Sequence, residues 1–151
     1  MPHYYTSTYV EASAKLESAC AWLQSIGINY SPTRVGKYRK LFAAVAKHQQ
    51  LKTLDTFLKG EKFEEWVNAA HEVAEVTRIF EGLSTQDNAD LVQRLKKALK
   101  GHESYVMDDN DQSGRDFSLE LSVAAKFARS GYSIDFGHDA DIAADIEEFK
   151  F

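Results

Sequence analysis

Residues 114–151, GRDFSLELSVAAKFARSGYSIDFGHDADIAADIEEFKF, hold the change of periodicity on which the fold class turns. Phe117, Leu119, Leu121, Ala124, Ala125 and Phe127 give a helix one small and apolar face, and Gly131 ends it. Tyr132 to Phe136 is then a short strand-like run, in which Tyr132, Ile134 and Phe136 share one face because strand side chains alternate. Acidic residues follow at Asp139 and Asp141, and Ala140-Asp141-Ile142 opens a second strand. The strands are expected to pair as a hairpin. Asp145 to Glu148 is the expected turn, and Phe149-Lys150-Phe151 the start of the next strand. So few strands make an incomplete sheet.

Upstream of this segment the spacing is helical throughout. Val10, Ala14, Leu16, Ala19, Trp22, Leu23 and Ile26 predict a first helix from Tyr9 to Ile26, stopped by Gly27. Ser31-Pro32-Thr33 supplies a cap followed by proline, and Val35, Tyr38, Leu41, Phe42, Val45 and Ala46 predict a second helix to about His48. Leu51, Leu54, Phe57 and Leu58 form a short helix or an extension of the second, punctuated by Gly60. A long helix follows from Glu61 to near Gly82. Asp87 or Asn88 then caps a helix that runs through Leu91 and Leu95 to Gly101. His102 to Gly114 is the most polar stretch and reads as a boundary or exposed loop.

The expected architecture is mainly α. A bundle of four or five helices over 1–104 precedes a helix plus short β-hairpin over 105–151, packed on the bundle as an incomplete α/β element. The expected core includes Leu16, Trp22, Leu41, Phe42, Val45, Trp66, Val73, Leu91, Leu95, Leu121 and Phe127.

Composition narrows the function classes. A chain of 151 residues with 44% hydrophobic content suits one compact unit rather than two full domains. Its net charge of -5 means that nucleic-acid contact has to come from a local basic patch. Cys20 is the single cysteine, so no intramolecular disulfide or cysteine-rich zinc site forms, and its apolar neighbours make it a packing residue. The leader lacks a basic start and an apolar core, and a cytoplasmic setting is expected. The five histidines show no paired metal-ligand spacing.

The helical glutamate in FSLELSVAAKF, the run SGYSIDF and the following ADI together resemble the N-terminal half of a nuclease core of the PD-(D/E)XK superfamily. The resemblance covers about a quarter of the chain. It implies Glu120 and Asp141 as ligands of a magnesium ion and as catalytic groups, and DNA as substrate. In that family the next strand bears Glu-x-Lys, and the chain ends at Phe151 about where that strand is expected to start. The polypeptide is therefore expected to be a fragment or shortened relative, inactive alone.

A literal Glu148-Phe149-Lys150 also exists, with the spacing of two that puts both charges on one strand face. It follows Asp141 after a gap barely long enough for a tight hairpin, so it is the weaker pair of catalytic candidates. Each acid also has a plainer reading: Glu120 as a solvated helical residue, and Asp139, Asp141, Asp145, Glu147 and Glu148 as a soluble hairpin tip.

Basic residues cluster twice, as Arg34, Lys37, Arg39, Lys40 and Lys47, and as Arg94, Lys96, Lys97 and Lys100. Arg34, Lys37, Lys40, Lys96, Lys97 and Lys100 are the candidates for phosphate contact. The alternative function is a non-enzymatic helical module that binds a protein partner or forms a homo-oligomer.

Overall fold

The computed structural model describes residues 9–86, 88–100, 113–136, 143–146 and 149–150. Among these the chain forms six helices: α1 (Tyr9–Ser25), α2 (Arg34–Gln50), α3 (Leu54–Phe57), α4 (Glu61–Leu83), α5 (Ala89–Ala98) and α6 (Ser113–Arg129). Three short strands follow, β1 (Ser133–Asp135), β2 (Ala143–Ile146) and β3 (Phe149–Lys150). The protein is mainly α.

Helix ends follow local chemistry. Gly27 and Gly131 adopt φ of +87° and +91°, a backbone region that glycine enters without a Cβ penalty. At α5, the Asn88 carboxamide oxygen accepts from Asp90 N at 2.8 Å and Leu91 N at 3.3 Å, satisfying two orphan amides. The start of α2 differs from the sequence expectation, because its N-cap is Thr33 and not Ser31. Thr33 Oγ1 donates to Tyr30 O at 2.6 Å, and the Ser31 carbonyl lies over Gly36, where a Cβ would stand 2.2 Å from it. Only a glycine allows that crossing. Segment 54–57 is a separate helix, since Lys52 takes φ +58° and breaks the α2 path. His48 stacks on Phe57 at 4.2 Å and holds the two helices together.

Packing centres on α4, which lies chiefly against α6 and also against α1 and α2. Leu16, Val35, Phe42, Val73, Leu91 and Leu121 belong to one buried cluster that Phe136 joins from the end of β1. Burying an apolar side chain of this size contributes about 1.5–3 kcal/mol. Trp22, Leu41, Trp66 and Phe127, expected in the core, are half-buried at its margin. The large rings pack at a tilt there, with Phe42 and Trp66 at 4.6 Å and Trp22 and Phe80 at 5.8 Å.

The α4/α6 contact is close because its residues are small. A Cβ on Gly82 would meet Ala125 Cβ at 2.5 Å and the Ala125 carbonyl at 2.6 Å. Gly82 is therefore the crossing point of the two helices, and α4 ends one residue later at Leu83, near Gly82 as expected. The inward face of α6 carries Ser118, Leu121, Ser122 and Ala125 at i, i+3, i+4 and i+7, while Leu119 is exposed. Ser122 accepts from Arg78 at 2.7 Å, and Ser118 donates to Glu75 at 3.3 Å.

The strands form an antiparallel sheet of order β1-β2-β3, with Ile134 opposite Ala144 and Asp145 opposite Lys150. Ile134 and Phe136 turn toward the core and Tyr132 stays partly exposed, packing on Phe127 at 5.9 Å. Asp145 and Ile146 belong to β2 and not to the expected turn, because both are paired with neighbouring strands.

Candidate functional site

The site is built where α5, α6 and the end of β1 meet. Helix α6 carries Glu120 one position before the fully buried Leu121, which places its carboxylate at the edge of the α5/α6 contact. Helix α5 packs on α6 through Leu91 and Leu95, and this presents Arg94 toward the same edge. The guanidinium then joins two elements. Arg94 Nε donates to the Phe136 carbonyl at 2.8 Å, and Nη1 lies 3.5 Å from Glu120 Oε2. Arg94 is mostly shielded, with 13% of its side chain exposed, whereas Glu120 keeps 36% and so stays open to solvent. A single planar fork thus fixes a helical carboxylate beside the residue that follows β1.

Phe136 leads directly into 137–142, the segment that carries Asp139 and Asp141. Asp141 and Glu148 lie outside the described residues. Lys150 is placed only by register, in β3 opposite Asp145. Glu120 suits a hard cation in chemistry and access, as an oxygen donor partly open to water. Among the described residues no group of three or more His, Cys, Asp or Glu side chains is arranged to hold a metal ion.

The two basic clusters fare differently. Arg34, expected to contact phosphate, is instead buried, with only 2% of its side chain exposed. Its Nε donates to Glu72 Oε2 at 2.8 Å, and its Nη1 donates to the Lys100 carbonyl. Tyr38 Oη donates to the same Glu72 oxygen at 2.8 Å. A buried ion pair of this kind is held by hydrogen bonds that complete both charges, and it ties α2 to α4 and to the end of α5.

Lys37 and Lys40 are exposed on the wall of an α2/α4 groove that also holds Lys62, Glu61, Glu64 and Glu65. Three carboxylates against three amines leave no basic field there, and Lys62 is already 3.2 Å from Glu65. Lys96, Lys97 and Lys100 are exposed on or just beyond α5, the helix that supplies Arg94. Lys97 rests over the Phe117 ring at 5.3 Å, so its position is fixed by α6.

Cys20 is 1% exposed, and burial pushes its thiol up to about 11, with Glu17 adding to the rise. A thiol held protonated among apolar neighbours is inert packing. Sequence spacing had no means of pairing Arg34 with Glu72, 38 positions apart. A helical-wheel signal was nevertheless present: Arg34 shares a face with Tyr38 and Phe42, and Glu72 stands between Ala69, Val73 and Val76 on the apolar side of α4.

No family model, curated protein or solved structure matches the chain. No helix among the described residues is long and apolar enough to cross a membrane.

Proposed function

We propose that the chain supplies the front half of a PD-(D/E)XK-like nuclease core acting on DNA, with Glu120 and Asp141 as magnesium ligands. One observation carries this: Arg94 pins the Glu120 carboxylate to the carbonyl of Phe136, at the mouth of the strand that leads to Asp141. The helix, strand, strand order of the resemblance is also the order α6, β1, β2.

Within this reading Glu120 and Asp141 hold the cation, and magnesium supplies Lewis-acid polarisation of the phosphodiester. Arg94 positions Glu120 and keeps it from drifting into solvent. Lys96, Lys97 and Lys100 meet backbone phosphates from the adjacent helix without reading sequence. Glu148 and Lys150 are the weaker candidates for the water-orienting pair.

Because a front half is expected to be inactive alone, the test is metal binding: calorimetric titration of the polypeptide with magnesium, compared with Glu120→Gln and Asp141→Asn. Loss of binding in both variants is expected. Binding equal to the parent in Asp141→Asn, or no saturable magnesium binding by the parent, rejects the assignment.

A second reading is favoured by a separate observation. Phe63 and Val67, one turn apart on α4, are 53% and 52% exposed. Such a face suits a helical protein-interaction or self-association module. Light scattering on the parent and on Phe63→Ser/Val67→Ser tests it, with a shift to smaller mass in the variant expected.

A further inference from the structure

We infer that the groove between α1 and α4 is a binding site for a long-chain organic anion, an alkyl carboxylate in chemical terms, independent of the α5/α6 corner. The groove has a volume of about 690 Å³, within the size range of small-molecule sites. It is graded along its length. At one end an aromatic corner is formed by Tyr9, Phe42 and Trp66, with Tyr9 edge-on to Trp66 at 5.3 Å. Its middle is lined by Ala12, Ala70 and Ala74, whose short side chains leave the floor open.

The other end is cationic. Lys15 and Arg129 converge there from α1 and α6 on a single carboxylate, Glu81, and Arg78 of α4 lines the same end with its Nη1 donating to Ser122 Oγ at 2.7 Å. Lys15 lies 3.8 Å and Arg129 3.4 Å from Glu81, and both keep 58% of their side chains exposed. Three positive groups against one negative leave an excess of two, in a chain whose net charge is -5. An anionic head is the complement of that end.

Length selects the tail. Trp66 and Arg78 are twelve positions apart on α4, roughly 18 Å at 1.5 Å of rise per residue. A compact aryl acid spans only part of that distance. An extended alkyl chain with its carboxylate among Lys15, Arg78 and Arg129 covers more of it, laying its methylenes over the alanines and directing its end toward the rings.

The experiment is calorimetric titration of the intact polypeptide with decanoate, hexanoate and 1-decanol, below their aggregation concentrations. Expected is saturable one-to-one binding of decanoate, at least tenfold tighter than hexanoate because each added methylene gains buried area. Decanol is expected to bind at least tenfold more weakly than decanoate. Two variants leave the core untouched: Ala74→Phe fills the exposed floor, and Lys15→Glu/Arg129→Glu reverses the head-group end. Ala74→Phe is expected to weaken both decanoate and decanol, and the charge reversal to weaken decanoate alone, by tenfold or more. Equal affinity for acid and alcohol, absence of saturation, or decanoate binding unchanged in the charge-reversed protein overturns the assignment. If Ala74→Phe fails to fold, the charge-reversed protein still decides the matter.

Discussion

Two arginines of this chain each join a carboxylate and a backbone carbonyl, and they do opposite work. Arg34 meets Glu72 and the Lys100 carbonyl in a site where neither side chain exceeds 4% exposure. Arg94 meets Glu120 and the Phe136 carbonyl, but its carboxylate keeps 36% of its surface. A charge pair taken wholly out of water serves only to fix geometry, because nothing can reach it to exchange partners. One left at the rim holds its carboxylate in place and still offers oxygen to a cation or water. Residue type is the same in both places, and burial separates structure from candidate chemistry.

The largest effect is expected where the pair is buried. Glu72→Ala strands the Arg34 guanidinium in the interior, and about 3–5 kcal/mol of stability should be lost in urea titrations. A change below about 1 kcal/mol would mean that water reaches the site and would erase the contrast with Arg94. Next comes the α4/α6 crossing. Gly82→Ala drives a methyl into Ala125 and should cost about 1–3 kcal/mol by the same measurement.

At the rim, Arg94→Ala removes a partly shielded pair and a hydrogen bond to the Phe136 carbonyl, for which about 1 kcal/mol is expected. Glu120→Gln should leave the thermal midpoint nearly unchanged while abolishing any magnesium response. A midpoint that falls as far as in Glu72→Ala would make Glu120 a structural residue like its buried counterpart. The smallest effect is expected for the solvent-exposed pair of Arg39 and Glu17, at 2.7 Å with 44% and 45% of their side chains exposed: Glu17→Gln should shift stability by no more than about 0.5 kcal/mol.

Burial also sets a pH dependence. The Cys20 thiol, raised to about 11 from a reference of 9.0, keeps its proton in the folded state after the unfolded chain has released it. Folding therefore binds the extra proton between those values, and the stability of the parent should fall as pH rises through that window. Cys20→Ala lacks this component. Comparing urea midpoints of the two proteins at pH 8.5 and 10.5 isolates it, and parallel behaviour would show that solvent reaches the thiol.

Much of the frame was legible because it is written locally. Gly27, Gly131 and Asn88 mark helix ends through their own backbone chemistry, and 3.6-residue spacing locates Leu16, Val73, Leu91 and Leu121 in the core. The change of period after Gly131 gave the strands. What stayed hidden depends on distant partners. Arg34 sits in a basic run and reads as a surface residue until Glu72 arrives from α4. Gly82 marks the end of α4 locally, but its close crossing with Ala125 shows only once α6 is placed, and Leu119 looks internal until Ser118 and Ser122 take the inner face through Glu75 and Arg78. Glu120 was legible as a candidate from the resemblance, but Arg94, which gives it a fixed place, was seen only as one more basic residue.

The decisive measurement is the paramagnetic effect of manganese on the backbone amide spectrum of the polypeptide. If the rim carboxylate holds a cation, low manganese should broaden the amides around Glu120 and Phe136 selectively. Excess magnesium should restore them, Glu120→Gln should abolish the effect, and the amides around Arg34 and Glu72 should stay sharp. Broadening that spares the α6/β1 corner, or that persists unchanged in Glu120→Gln, contradicts a metal site there.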